Sequence, residues 1–312
     1  MLHALRDVLF ERGICIPSIW NAAPDDPSHM RLVRAIRKRD ISLVQAQFKD
    51  ILAQGYRYVV ISCEGFSTFT LDQAVHLRQL LGSVPTQIVH YVRRWPERLP
   101  SAWQEHVRQG QTTMLPEFLV RQTMGYDGFA RPDATILAPF AAVFGADQIK
   151  IVSYSSLENE KLDIGRHFLA SFLDTSDIDL PDIGRPNQAL SVLDTELIRV
   201  LNTIRTPGGG EWSTAMRDWY LVNKQGLVPD SVLDAMRACM GSIRLDETKP
   251  PLIHLSRDVL KRHAGSLVLP FDANTLHALQ AIDVPFIRQD YLLEPEVPKR
   301  LRDIYQMYLR AP

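Results

Sequence analysis

Three residues of this chain combine a reactive side chain with a position at the end of a predicted element. Glu64 and Arg93 each follow an apolar run typical of a buried strand, and Ser101 comes eight positions after Arg93, where a helix over 101–110 is predicted to begin. The first turn of a helix has free N–H groups and a positive dipole end, so it favours an anion. An arginine can hold the same anion through two parallel hydrogen bonds. Arg93 and Ser101 could therefore converge on one phosphate, and Glu64 is a candidate general base.

Each of these residues also has an interpretation that needs no ligand. Ser101 followed by Gln104 has the spacing of a capping box, in which two side chains satisfy the first N–H groups of a helix. Glu64 could instead form an ion pair with Arg93 or Arg94, and an exposed pair of this kind contributes little to stability. Residue types and spacing alone leave both interpretations open.

The elements that would position these residues are short strands alternating with helices. Apolar runs of strand length occur at 57–63, 86–92 and 148–154. Stretches that predict helices occur at 36–55, 70–82, 101–110, 133–145 and 165–174, and Thr70 is placed to cap the second of them. Strands separated by helices favour parallel pairing, and ligands of open parallel sheets bind beyond the carboxyl ends of the strands. Glu64 and Arg93 are both predicted to lie at that edge.

The pattern changes beyond the segment 177–186. Later segments predict helices joined by loops, with one more possible strand at 266–270. We therefore predict an α/β fold, with a parallel sheet and flanking helices over 1–175. A mainly helical C-terminal part over 186–312 is expected to pack on this core.

Composition limits the partners that the chain can attract. Lys and Arg total 35 and Asp and Glu total 36, a net charge of −1, so any anion site must be local and nucleic acid is not an expected partner. The three cysteines lack the spacing of a zinc site, which predicts reduced thiols and no metal. No apolar run reaches the ~20 residues that span a bilayer, and the first residues lack the layout of a secretory signal. We expect a cytoplasmic protein.

The segment VRRWPERLPSAW resembles the phosphate-binding segment of sulfotransferases, in which a strand-end arginine is followed eight residues later by a serine. In that family the two residues hold the 3′-phosphate of the donor, 3′-phosphoadenosine-5′-phosphosulfate, and the resemblance gives these roles to Arg93 and Ser101. The segment VVISCEGFS is similar to a strand end in bacterial members linked to surface polysaccharides, and PNQALSVLDTELIRVLN resembles a helix on their C-terminal side. The resemblance covers about residues 1–205.

The resemblance implies transfer of a sulfuryl group from this co-substrate to a carbohydrate hydroxyl, with Glu64 as the base and no metal. The chain departs from the family at its start, because no stretch matches the phosphate-loop pattern G-x-x-x-x-G-K-[ST]. Instead, LHALRDVLFERGICIPS is similar to the helix that follows the loop in the family. We therefore expect an N-terminally incomplete version of the sulfotransferase fold. On this resemblance we expect either a truncated version of a real enzyme or a non-catalytic binding or scaffold protein.

Overall fold

The structure is a computed structural model that describes residues 5–23, 28–40, 42–124, 133–159, 161–178, 190–205, 214–246 and 281–311. Within them the chain is a mixed α/β protein with a majority of helix. The helices are α1 (Arg6–Glu11), α2 (Met30–Lys38), α3 (Ser42–Ala53), α4 (Leu71–Leu81), α5 (Trp95–Arg108), α6 (Leu115–Thr123), α7 (Asp133–Phe144), α8 (Tyr154–Asn159), α9 (Ile164–Phe172), α10 (Val192–Arg205), α11 (Ala215–Asn223), α12 (Asp230–Ala238) and α13 (Glu296–Arg310). The strands are β1 (Ile14–Cys15), β2 (Tyr58–Val59), β3 (Ile88–Val92), β4 (Ile149–Ser153), β5 (Met240–Asp246) and β6 (Ala281–Ile287).

The described residues divide into two compact units. The first contains residues of 5–93 and 133–178, and the second contains 94–124 with residues of 190–246 and 281–311. The segment 94–124, which holds α5 and α6, thus belongs with the C-terminal elements. Arg93 is the last residue of the first unit before this segment, whereas Ser101 lies in the second unit.

The first unit contains two parallel strand pairs, β1 with β2 and β3 with β4. Parallel pairing was expected, but the single sheet was not found, because among the described strands neither pair is hydrogen-bonded to the other. The apolar core of this unit lies between helices and β4. It includes buried side chains of α2, α4 and α7 packed with Ile149 and Ile151. Thr70 caps α4 as predicted, in a complete capping box with Gln73.

The strand predicted at 57–63 is much shorter, because β2 ends at Val59. Directly beyond β2 the backbone N–H of Val60 still donates to the carbonyl of Cys15 in β1 at 2.9 Å, and the chain then turns to the residue before α2. The backbone N–H of Ser62 donates to Nδ1 of His29 at 2.9 Å, and its carbonyl accepts from the backbone N–H of His29 at 3.0 Å. The start of α2 therefore takes the place that a strand would occupy. The helix predicted at 36–55 is also divided, because Arg39 ends α2 in a left-handed conformation with φ of 58°.

The second unit is built from helices and one antiparallel strand pair, β5 with β6. This pair was not predicted, and the strand expected at 266–270 lies outside the described residues. The first helix of the unit, α5, has its buried side chains Trp95, Leu99, Trp103 and Val107 at intervals of four, which makes one continuous apolar face. Eight consecutive residues of α10, from Thr195 to Asn202, are buried. A helix that is covered on all sides lies inside its unit.

Candidate functional site

The carboxyl edge of the β3–β4 pair is the part of the first unit that best fits a ligand site. The two strands are parallel, and Val92 is paired with Ser153. Arg93 and Tyr154 therefore leave the two strands side by side, and the guanidinium carbon of Arg93 lies 5.2 Å from the centroid of the Tyr154 ring. An arginine on an aromatic face keeps the edges of its planar group directed sideways, where they can donate hydrogen bonds.

The turn that holds Tyr154 is built from buried serines. The hydroxyl of Ser156 donates to Oγ of Ser153 at 2.7 Å, and the backbone N–H of Ser156 donates to the same oxygen at 3.1 Å. Ser153 thus satisfies one of the first N–H groups of α8, as a capping serine does. Because both hydroxyls are buried and satisfied, their contribution is to fix the direction in which the chain leaves β4. They place the Tyr154 ring beneath Arg93.

A second polar cluster lies on the same unit, between β3 and α9. The hydroxyl of Tyr91 lies 3.1 Å from Nδ1 of His167, whose Nε2 lies 3.3 Å from the hydroxyl of Ser171. Burial raises the pKa of Tyr91, so the phenol keeps its proton. The three side chains form one chain of polar contacts that joins β3 to α9.

A third polar pair joins β3 to α7. Nε2 of His90 lies 2.9 Å from Oδ1 of Asp133, a carboxyl whose side chain is only 3% exposed. Asp133 is the first residue of α7, where the positive end of the helix dipole favours a carboxylate. The pair fixes the start of α7 on β3. No local pattern predicts this pair, because the two residues are 43 positions apart.

Glu64 does not lie at a strand end. It begins a short 3-10 helix, Glu64–Thr68, five residues beyond the end of β2. Its side chain is exposed, and among the described residues it has no ion-pair partner, so the predicted pair with Arg93 or Arg94 is absent there. The prediction of a strand-end carboxylate was wrong because β2 stops early. The role of Glu64 as a base remains a prediction.

Ser101 does not begin a helix. The helix α5 begins at Trp95, with Pro96 in its first turn, so Ser101 is its seventh residue and its side chain is exposed. The predicted capping box with Gln104 is therefore not formed, and the amide of Gln104 donates to the carbonyl of Leu190 at 3.2 Å. The argument that the dipole at a helix start serves Ser101 was wrong. Its role in phosphate binding now depends on the resemblance alone.

The first turn of α5 already contains its own counter-charge. Glu97 lies in that turn, and its carboxylate is 3.7 Å from a guanidinium nitrogen of Arg94, the residue before the helix. The guanidinium of Arg98 lies 4.7 Å from the ring centroid of Trp95. A carboxylate at this end of a helix is favourable and takes the place of an external anion. The first turn of α5 is therefore not the phosphate site that the sequence suggested.

The second unit contains a buried polar network that sequence reasoning missed. Nε and Nη2 of Arg199 each donate to the carboxylate of Glu196 at 2.7 Å, and the hydroxyl of Tyr291 donates to the same carboxylate at 2.8 Å. Arg199 also donates to the carbonyl of Thr112 at 3.0 Å. Burial lowers the pKa of Arg199, but its hydrogen bonds to the Glu196 carboxylate and the negative charge of that group outweigh burial, so the net shift of the pKa is upward. Because the groups satisfy one another, we assign the network a structural role.

No protein-family model, curated protein or solved structure matches this chain. Within the described residues, no group of three or more His, Cys, Asp or Glu side chains is placed to hold a metal ion. Nor does any helix in that part of the chain have both the length and the apolar character needed to cross a bilayer. The candidate site therefore depends on its own geometry and on the resemblance of the sequence.

Proposed function

We propose that this chain is a sulfotransferase-like protein that binds 3′-phosphoadenosine-5′-phosphosulfate and transfers its sulfuryl group to a carbohydrate hydroxyl. The observation that carries the proposal is the position of Arg93, directly after β3, in register with β4 and against the ring of Tyr154. This is the edge at which open parallel sheets bind ligands. A guanidinium there can hold a phosphate through two hydrogen bonds.

In the proposed reaction the acceptor oxygen attacks sulfur while the bond from sulfur to the phosphate oxygen breaks. The acceptor proton passes to a base, and adenosine 3′,5′-bisphosphate leaves with the electron pair. Positioning and electrostatics supply most of the catalysis in related phosphoryl transfers. Glu64 is the proposed base, since its carboxylate is exposed and has no ion-pair partner in the described part of the chain. No metal takes part in this proposal.

Calorimetric titration with adenosine 3′,5′-bisphosphate tests the nucleotide site. We expect Arg93→Ala to weaken binding by about tenfold or more, the effect of losing a charge-assisted contact worth about 1.5–3 kcal/mol. Arg57→Ala is the matched control. Arg57 also stacks on a tyrosine, at 5.1 Å from the Tyr58 ring, but it precedes a strand instead of following one. Equal affinity of the wild type and Arg93→Ala would refute the assignment.

Ser101→Ala and Glu64→Gln separate the remaining roles. If Ser101 holds the same phosphate, its replacement weakens binding alongside Arg93→Ala, and unchanged affinity removes it from the site. Glu64→Gln should leave binding unchanged and lower the rate of transfer from radiolabelled donor to a carbohydrate acceptor. A transfer rate equal to that of the wild type would exclude Glu64 as the base.

A second candidate is a non-catalytic binding or scaffold protein on the same layout. Two observations favour it, the lack of a G-x-x-x-x-G-K-[ST] stretch in these residues and the carboxylate of Glu97 at the start of α5. Such a stretch normally supplies the backbone N–H groups that stabilise the charge of the transferred group. Binding of the bisphosphate without measurable transfer would support this candidate. Transfer that depends on Arg93 would exclude it.

A further inference from the structure

Two adjoining cavities follow one face of α13 in the second unit. Their volumes are about 380 Å³ and about 420 Å³, and both are bounded by Leu227, Met307 and Arg310. One extends toward Arg300 and the other toward Trp219 on α11. Because they share these three residues, the two cavities adjoin each other, and together we call them the α13 groove. From Arg300 to Arg310 it is roughly 15 Å long, or about three helical turns.

The apolar lining of the α13 groove is exposed and adaptable. The side chain of Met307 is 54% exposed, although α13 has a fully buried face formed by Val297, Leu301 and Ile304. The Trp219 ring borders the groove and is fixed edge-on against Tyr308, with centroids 5.5 Å apart. Methionine fits differently shaped partners because its side chain is flexible and polarizable. A rigid aromatic next to an exposed methionine is typical of a surface that binds apolar side chains.

The charge of the groove is positive where the two cavities meet. Arg300 lies 3.9 Å from Asp303, and on the same helix Lys299 lies 3.8 Å from Glu296. Arg310 borders both cavities and has no acidic partner among the described residues. The charge that an occupant must supply at this point is therefore negative.

We propose that the α13 groove binds an acidic amphipathic helix of a partner protein. Helices and the turn before α12 form its walls, and no described strand borders it, so an extended peptide has no strand edge to join. A helix can place one large apolar side chain in each cavity and a carboxylate between them, opposite Arg310. None of the residues proposed for nucleotide binding or catalysis borders the α13 groove.

A displayed library of helical peptides of about four turns, panned against the full chain, supplies the probe. We expect the selected peptides to carry Asp or Glu between two large apolar residues. Met307→Glu and Arg310→Glu should each weaken their binding by about tenfold or more, as central contacts do. Leu309→Glu and Arg302→Glu are matched controls. Leu309 is 55% exposed and Arg302 is exposed, on the same helix but outside the groove, and their replacement should leave affinity unchanged.

A charge exchange then tests the register. A selected peptide whose acidic residue is changed to lysine should bind Arg310→Glu better than the wild type. Three outcomes overturn the proposal. The first is that the library yields neutral or basic peptides, or no peptides at all. The second is that neither Met307→Glu nor Arg310→Glu changes the affinity of the selected peptides, and the third is that the free chain self-associates and Met307→Glu abolishes this self-association. The last outcome would assign the groove to a second copy of the chain. The thermal midpoint of each variant must match that of the wild type, as expected for exposed positions.

Discussion

Replacing Arg199 with methionine should destabilise the second unit by about 3–5 kcal/mol, the usual cost of leaving one buried charge without its partner. The side chains of Arg199 and its ion-pair partner Glu196 are only 4% and 5% exposed, so water cannot reach the Glu196 carboxylate once the guanidinium is gone. Two charge-assisted hydrogen bonds at 2.7 Å are lost with it, and the carbonyl of Thr112 loses the donor at 3.0 Å. Only the hydrogen bond from Tyr291 remains on the carboxylate.

The double variant Glu196→Gln with Arg199→Met separates charge from packing. It removes both charges and keeps an oxygen that accepts from Tyr291, so it should be more stable than Arg199→Met alone. Urea unfolding followed by circular dichroism gives the free energies, and hydrogen exchange of α10 assigns the loss to the second unit. A cost of less than about 1 kcal/mol for Arg199→Met would refute the reasoning, because that is the value of an exposed pair. The reasoning would also be refuted if the double variant lost as much free energy of unfolding as Glu196→Gln and Arg199→Met lose in sum.

Three further predictions concern single side chains. The pKa of Asp194 is lowered by hydrogen bonds from Tyr220, Ser191 and Lys224 that outweigh its burial, so its stabilisation is complete above the ordinary value of 3.8 and is lost as the pH falls below it. Asp194→Asn should therefore flatten the acid end of a plot of stability against pH. Gly65→Ala would bring its Cβ within 2.9 Å of Val33 and should cost about 1–3 kcal/mol in urea unfolding, a cost that Val33→Ala in the same chain relieves. Thr70→Ala should cost about 1 kcal/mol in the same assay, since it removes the cap of α4.

Elements with a clear local pattern could be predicted from the sequence. The run at 86–92 became β3 and the run at 148–154 became β4, because both are rich in β-branched residues and bounded by turns. The helix expected at 133–145 is α7, although Pro139 lies inside it. The position of Arg93 at the end of β3 follows directly from these patterns. The ring of Tyr154 beneath it could not be predicted, since that contact requires the pairing of β3 with β4.

The helix α5 begins before the predicted position 101, because Pro96 and Pro100 indicate a loop although both lie within the helix. Pro96 lies in the first turn, where its missing N–H costs nothing, and Pro100 lies inside the helix. The signal that would have corrected the prediction was present in the sequence. Trp95, Leu99 and Trp103 recur at intervals of four, and burial of these three side chains outweighs the loss of one hydrogen bond at Pro100.

The β5–β6 pair and the network on α10 had no comparable local signal. The two strands are separated by 34 residues along the chain, and Pro285 in β6 argues against a strand. Glu196 and Arg199, three positions apart, have the spacing of an ordinary ion pair on a helix surface. Their burial is decided by Thr112 and Tyr291, which lie far from them in the sequence.

The burial of α10 sets the order in which the second unit can form during synthesis. Asn202 of α10 donates to the carbonyls of Val107 at 2.9 Å and Gln111 at 3.2 Å. The end of α5 therefore obtains these contacts only after α10, about 90 residues further along the chain, has been synthesised. The same helix receives Tyr291, which leaves the ribosome later still. Until then the apolar face of α5, with two tryptophans, lacks its cover from α10. The newly made chain should therefore recruit a chaperone at α5 and release it only when α10 and its last contacts have been translated.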